Sequence, residues 1–507
     1  MVPVAERAKE MPGIAQWERY ELCWQVEAQV PNPFVDVRLS ATVRGSGLER
    51  EVEGFYDGEG VYRLRFMGEA PGEFTYRTHS NLAELDGIEG TFTVTPAEAG
   101  VHGPVRARGT RFAYADGTPA FIMGTTAYAW HYRPAEVRVQ TLASLERFGF
   151  NKVRMLVFPK HYTGGFNQVD ISYEPPCYPF EGEPKSFCFT RPNPAYFQAL
   201  EQRVEDLLQR GIEADVILFH PYDFGHWDID AGMDEADALL YLRYIVARLA
   251  AYRNVWWSLA NEYDIDTRHR VIGPDRRDWD VIGAFIQARD PYGHLISNHN
   301  IPFGIIYPDR HWLTHVCYQH PDTYTLMLEL KERYGKPVIN DEYQYEGNLS
   351  DDWGNSSPEL VLERHWKSVM AGGYASHGEA FVRDGNRKDI FWSYGGTMTG
   401  ESAPRLRYLR EIVESLPLDK MERQPLNSDS GNVFALAQGH DLIVIFCRHA
   451  LPGKWPWLGP WDGSLRGARY HATVYDLWNC CILDEFDVDQ EHRPQYRAWT
   501  LLKLERV

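Results

Sequence analysis

Cysteine is sparse in this chain: seven in 507 residues, an odd number with no Cys-x-x-Cys spacing. Neither a disulfide framework nor a zinc site is therefore expected, and the pattern fits free thiols in a reducing compartment. Positive charge is also in deficit, with 52 Lys and Arg against 71 Asp and Glu and a net charge of -19. Nucleic-acid binding is driven by Lys and Arg releasing counterions, so no nucleic-acid partner is expected, whereas neutral substrates remain compatible. No apolar run reaches transmembrane length, and the first twenty residues interleave Glu6, Arg7, Lys9 and Glu10 without the apolar stretch a secretion signal needs. The expectation is a cytoplasmic protein with no membrane partner. Low-complexity tracts and repeats of fixed period are missing too, which speaks against disorder, solenoids and propellers.

What the chain does have is length and aromatics. At 507 residues it exceeds what a single hydrophobic core supports, so two or three domains are expected. Aromatics are abundant, with 16 Trp, 29 Tyr and 24 Phe; the flat face and polar handle of Tyr and Trp suit stacking on sugar rings, although most aromatics in any protein fill cores. In the first hundred residues Trp24, Val26, Ala28 and Val30 alternate with polar residues, as do Val37, Leu39, Ala41 and Val43. Period two with Asp-Gly turns between runs is the signature of an antiparallel sandwich. From about residue 110 apolar runs alternate with helical patterns, placing eight strands at residues 121–125, 152–158, 214–219, 255–259, 294–297, 314–318, 337–341 and 374–377. Between the second and third, Asn193 can cap, Pro194 takes the first turn, Phe197, Leu200, Val204 and Leu207 share one face, and Gly211 ends the helix. Beyond about Pro417 short strands return. The expected architecture is α/β: a (β/α)8 TIM barrel over residues 106–417, an N-terminal β-sandwich over 1–105 and a small C-terminal β-sandwich over 418–507. Whether the chain forms a homo-oligomer is left open.

Catalytic groups of such barrels sit at the C-terminal ends of the strands. Strand four runs Val255-Trp256-Trp257-Ser258-Leu259-Ala260 into Asn261-Glu262, and strand seven runs Pro337-Val338-Ile339-Asn340-Asp341 into Glu342. Hydrolysing a glycosidic bond with retention needs one carboxylic acid to protonate the leaving oxygen and one carboxylate to attack the anomeric carbon. Strands four and seven face each other across the mouth, so Glu262 and Glu342 can supply the pair. Asp341 and Glu346 compete with Glu342; strand alternation turns Asp341 away and Glu346 lies farther into the loop. His220, His315 and Tyr318 also lie at strand ends, where each is as readily a structural group as a ligand for hydroxyls.

The sequence resembles the clan A glycoside hydrolases, whose motif is Asn-Glu after strand four for the acid/base and Glu at the end of strand seven for the nucleophile. The resemblance implies that Arg154 on strand two supports the nucleophile, and that Trp392 after strand eight forms the floor of the subsite holding the cleaved sugar. Within the clan, Gly117-Thr118-Pro119-Ala120-Phe121, Gly372-Gly373-Tyr374 and Gly395-Gly396-Thr397-Met398-Thr399-Gly400-Glu401-Ser402 resemble apiosidase-like glycosidases over nearly the whole chain. Glu262 must then hold a proton, for which Trp256 and Trp257 offer an apolar surround, while Glu342 stays ionised beside Arg154 and Asn261 bonds a ring hydroxyl. No cofactor and no metal are expected: the calcium-like run Asp228 to Asp234 has Leu239 where its twelfth position needs a glutamate. The long connection over residues 160–191, with Tyr162, Phe166, Tyr173, Tyr178 and Phe187, is expected to wall the site, which favours exo-action on short glycosides. The competing reading is a non-catalytic carbohydrate-binding protein on a degenerate barrel; the presence of both carboxylates with their Arg and Asn argues against it.

Overall fold

The computed structural model describes residues 13–161, 173–266, 271–272, 277–304, 306–382, 390–424, 432–449, 469–488 and 498–507. Eight parallel strands form the central sheet: β1 (Met123–Thr126), β2 (Lys152–Leu156), β3 (Glu213–Phe219), β4 (Val255–Ala260), β5 (Ile296–Ser297), β6 (Val316–Gln319), β7 (Val338–Glu342) and β8 (Tyr374–His377). β1 pairs with both β2 and β8, so the sheet curls back on itself as the sequence leads one to expect. Its one weak seam is between β5 and β6, where side chains take over from the strand ladder. There Thr314 donates its backbone N–H to Ile296 O at 3.0 Å and accepts from Ile296 N at 2.7 Å, while Asn300 Oδ1 accepts from Gln319 N at 3.3 Å.

Helices follow seven of the strands: α1 (Ala135–Phe148), α2 (Pro194–Leu208), α3 (Glu235–Leu249), α4 (Trp279–Arg289), α5 (Thr325–Tyr334), α6 (Pro358–Met370) and α7 (Ser402–Glu414). α2 forms as its sequence dictates: Asn193 accepts from Ala195 N at 3.2 Å, Pro194 opens the first turn, and Phe197, Leu200, Val204 and Leu207 are buried. The eighth alternation differs from expectation. No helix occurs among the described residues between β5 and β6, where Pro302, Gly304 and Pro308 break helical spacing and Phe303 adopts a φ of 58°.

The strands are buried on both faces, and the barrel interior is charged. Lys152 donates to Asp215 at 2.8 Å and to Asp341 at 2.6 Å, and Arg154 to Asp341 at 3.1 Å, all four being essentially inaccessible. Below this layer a hairpin, Val105–Arg108 with Arg111–Tyr114, closes the bottom by packing Phe112 against Trp256 and Tyr374. The N-terminal part is two packed sheets of five and three strands, its core built on Phe92 stacked against Tyr20, Phe66 and Phe74. The C-terminal part is a six-stranded antiparallel sheet whose Phe446 stacks on Trp366 of α6, while the opposite face is buried in a second apolar cluster.

Candidate active site

A cavity of about 850 Å³ opens at the C-terminal ends of the strands, and both Glu262 and Glu342 line it. A bulge delivers Glu342. Pairing between β6 and β7 passes from Tyr318 with Asn340 to Gln319 with Glu342, skipping Asp341. The skipped residue turns Asp341 into the barrel interior and lets the next side chain rise to the mouth, which is how a bulge re-aims a side chain. Glu342 is 7% exposed, and Tyr128 donates to its Oε1. Burial pushes its carboxyl up to about 8, against which the nearby Tyr345 hydroxyl favours the ionised form.

Glu262 is aimed by strain. After β4 ends at Ala260, Glu262 takes a φ of 50°, a left-handed conformation that costs an L-residue about 1–2 kcal/mol. Its Oε2 accepts from Tyr222 Oη at 2.6 Å, and the same oxygen of Tyr222 accepts from Asn261 Nδ2 at 2.6 Å. Arg154 Nη2 donates to Asn261 Oδ1 at 2.7 Å, which fixes the amide's orientation. Tyr128 lies 3.4 Å from that same Oδ1, so the chain Glu342–Tyr128–Asn261–Tyr222–Glu262 joins the two carboxyls through three side chains. Desolvation raises the Glu262 carboxyl, while the Tyr222 hydrogen bond and the Lys160 charge oppose it. Lys160 Nζ sits 3.9 Å from the Tyr222 ring centre and 4.7 Å from that of Tyr128, and burial brings its ammonium down to about 7.

The remaining expected site residues divide. Trp392 lines the cavity beside Trp353, their rings 4.9 Å apart, and its carbonyl anchors the backbone of Tyr128 at 3.0 Å. Arg154 has its ion pair with Asp341, and it reaches the site through Asn261 rather than through Glu342. His220 does not line the cavity: its ring accepts from Tyr222 N and bonds Phe158 O, making it a prop for the Tyr222 turn. His315 lies at the N-terminal end of β6, against Phe112 and Trp256 on the barrel floor, far from any substrate at the mouth. Tyr318 donates to Asp322 O at 3.1 Å and is fully buried, because its place on β6 points outward between barrel and helix layer. Trp256 and Trp257 give Glu262 no apolar surround, since they donate to Glu213 and Asp290 lower in the barrel. Glu346 holds the start of α7 by accepting from Glu401 N and Ser402 N. Of the loop after β2, Lys160 and His161 line the cavity, Tyr162 and Phe166 lie outside the described residues, and Tyr173, Tyr178 and Phe187 pack elsewhere.

Tyr128, Lys160 and Tyr222 were not singled out from the sequence. A signal for two of them existed: Phe158-Pro159-Lys160 and His220-Pro221-Tyr222 each place a proline just after a strand, where the chain turns out at the mouth.

Residues 107–419 match the model of the apiosidase-like catalytic domain, and residues 13–81 match a domain of unknown function, DUF5060. No curated protein matches the sequence. A crystal structure from Bacteroides vulgatus ATCC 8482, assigned as a glycoside hydrolase, is 36% identical with a TM-score of 0.84, covering 98% of this chain and 100% of its own. A family 5 glycoside hydrolase of the same organism, 18% identical with a TM-score of 0.56 over 80% of this chain and 94% of its own, shares the fold. With a matching family model over more than half its length, the chain belongs to the apiosidase-like family of glycoside hydrolases, and its barrel is that family's catalytic domain.

Proposed function

We propose that this glycosidase works with retention, by double displacement, and acts on the end of short oligosaccharides or glycosides. The observation that carries the reading is the two glutamates facing one cavity, joined through Tyr128, Asn261 and Tyr222. In the first step a carboxylate oxygen of Glu342 attacks the anomeric carbon while Glu262 gives its proton to the departing glycosidic oxygen. In the second, Glu262 as carboxylate takes a proton from water, whose oxygen displaces Glu342 from the sugar. Asn261, bonded through Oδ1 to Arg154, donates from Nδ2 to the Tyr222 hydroxyl that holds Glu262. Attack needs Glu342 ionised and Glu262 protonated at the same time; burial raises both carboxyls, so activity should pass through a maximum with pH, and only the fraction of molecules in that state turns over. The cavity's size and the walling by Lys160, His161 and the β7 loop support terminal action on a small ligand. A cytoplasmic setting is part of the proposal, supported by the cysteine composition.

The test is a panel of 4-nitrophenyl glycosides (glucoside, galactoside, xyloside, mannoside, fucoside, arabinosides, apioside) with wild type, Glu262→Gln and Glu342→Gln. One glycoside should be turned over with retained configuration in its first-formed product. Glu342→Gln should abolish turnover, and Glu262→Gln should lower it by about a hundredfold or more on the methyl glycoside of the same sugar, assayed beside the panel because its poor leaving group needs the proton. Inverted product, or activity indifferent to either change, would overturn the mechanism, and internal cuts in a long polysaccharide would overturn exo-action.

A further inference from the structure

The turn after β7 holds a residue in a conformation that its side chain disfavours. Gln344, two positions past Glu342, has a φ of 84°. That is the left-handed region, where glycine is at ease and a residue with a Cβ is strained. Both neighbours keep it there. The Tyr343 carbonyl accepts from Arg364 Nη1 at 2.6 Å, the Tyr345 N–H donates to Trp353 O at 2.6 Å, and the Tyr345 carbonyl accepts from Ser356 N at 2.9 Å. Backbone strain that its surroundings over-determine clusters where a side chain must be aimed, and Glu262 is held at positive φ on the same cavity.

The side chain of Gln344 is aimed as well. Arg364 Nη2 donates to its Oε1 at 2.8 Å. A guanidinium has protons and no lone pair to offer, so the atom it meets is the amide oxygen, and the NH2 group is turned away from Arg364. Arg364 stands on α6, 8% exposed, and is not among the residues that line the cavity, whereas Gln344 is half-buried and does line it. The end of the amide turned from Arg364 is therefore the end toward the cavity. Among the described residues no acceptor takes the protons of Nε2.

We propose that Gln344 is a specificity-determining residue, which donates from Nε2 to a hydroxyl oxygen of the sugar whose anomeric carbon Glu342 attacks. The inference rests on the reading of Glu342 as nucleophile. Two residues of chain span at most about 7 Å, comparable with one sugar ring, so the amide stands beside the ring that bonds to Glu342 and not beside a more distant unit. An amide already fixed by Arg364 loses little freedom when the hydroxyl arrives, which is the advantage of a donor set in place before binding.

The test is a cycle of kcat/KM values for wild type, Gln344→Gly and Gln344→Ala, on the glycoside that the panel selects and on its monodeoxy forms. Both variants should lose about tenfold on the parent glycoside, the loss of one hydrogen bond between neutral groups. One monodeoxy glycoside should cost the wild type a similar factor and show no further loss in either variant, because the contact is already missing, while the other deoxy forms lose as the parent does. Glycine takes the positive φ freely, so Gln344→Gly should melt above Gln344→Ala while the two share one substrate pattern. Variants as active as the wild type, or losses equal on every deoxy form, would overturn the sugar contact and leave Gln344 a part of the turn. Failure of the nucleophile reading looks different: Glu342→Gln would keep its activity, and that would overturn the placement beside Glu342 whatever the deoxy pattern.

Discussion

At the scale of single residues, the site is organised by two tyrosines. Tyr222 stands between Asn261 and Glu262, donating to the carboxyl and accepting from the amide, with the Lys160 ammonium over its ring. A donor to a carboxylate favours its ionised form, so removing it leaves Glu262 a weaker acid. Tyr222→Phe should therefore move the limb of the kcat/KM profile that reports Glu262 to higher pH and cut the rate on poor leaving groups by roughly tenfold, the loss of one hydrogen bond to a charged group. Glycosides of 2,4-dinitrophenol, which depart without a proton, should be spared. A pH profile identical to wild type with uniform losses on all leaving groups would show that Tyr222 merely packs. The place of Glu262 and Glu342 at the cavity was legible from their strand ends; Lys160 and Tyr222 each follow a proline just past a strand, a signal that went unused, and Tyr128 carries none.

At the scale of elements, the barrel strands carry charges where cores are usually apolar. Glu213 opens β3, buried, and accepts from Trp256 Nε1 at 2.9 Å. Desolvation pushes it up to about 8 from an ordinary 4.5. A carboxyl whose folded pKa is raised is held neutral in the fold while the unfolded chain ionises it, so the stability it contributes is complete below the unfolded value and drains away as pH rises towards the folded one. Between about pH 4.5 and 8 the wild type should lose up to roughly 4 kcal/mol from this group alone. Glu213→Gln keeps an oxygen for Trp256 and removes the titration, so the gap in thermal midpoint between variant and wild type should widen in the variant's favour from pH 5 to pH 8. A constant gap over that range would contradict the shift. The strands themselves followed the sequence closely: all eight were placed within a few residues, since buried β-branched runs carry a strong local signal. The bulge at Asp341 was not foreseen, because it depends on how neighbouring strands register; the missing helix before β6 has a local cause in Pro302, Gly304 and Pro308 that the strand-helix count passed over.

At the scale of the whole molecule, the N-terminal sheets are fastened to the barrel by charge. Arg248 of α3 donates to Asp57 and, at 2.7 Å, to Glu201, and its carbonyl accepts from Arg65, which also reaches Glu201 at 2.7 Å. Arg248 is 1% exposed and Asp57 8%. Removing one partner of a buried pair leaves the other charged and unpaired, at a cost of about 3–5 kcal/mol. Arg248→Ala should lower the calorimetric midpoint accordingly and expose the 13–95 region to proteolysis first, with the barrel following. An unchanged midpoint would mean the two parts are held by apolar contact alone.

The sequence by itself determined the architecture and placed Glu262 and Glu342 at the ends of their strands, where both line the cavity. Periodicities of two and of 3.6 are local properties that survive without knowledge of partners, and a strand that ends in Asn-Glu or in Glu announces a barrel mouth. Only the tertiary structure decided which charges meet. Arg154 went to Asp341 and Asn261, and His315 and Tyr318 went to the floor and the outer layer. The physical reason is that side-chain pairing inside a barrel depends on strand register and on which loops converge over the mouth, and both are fixed by contacts between residues a hundred or more positions apart.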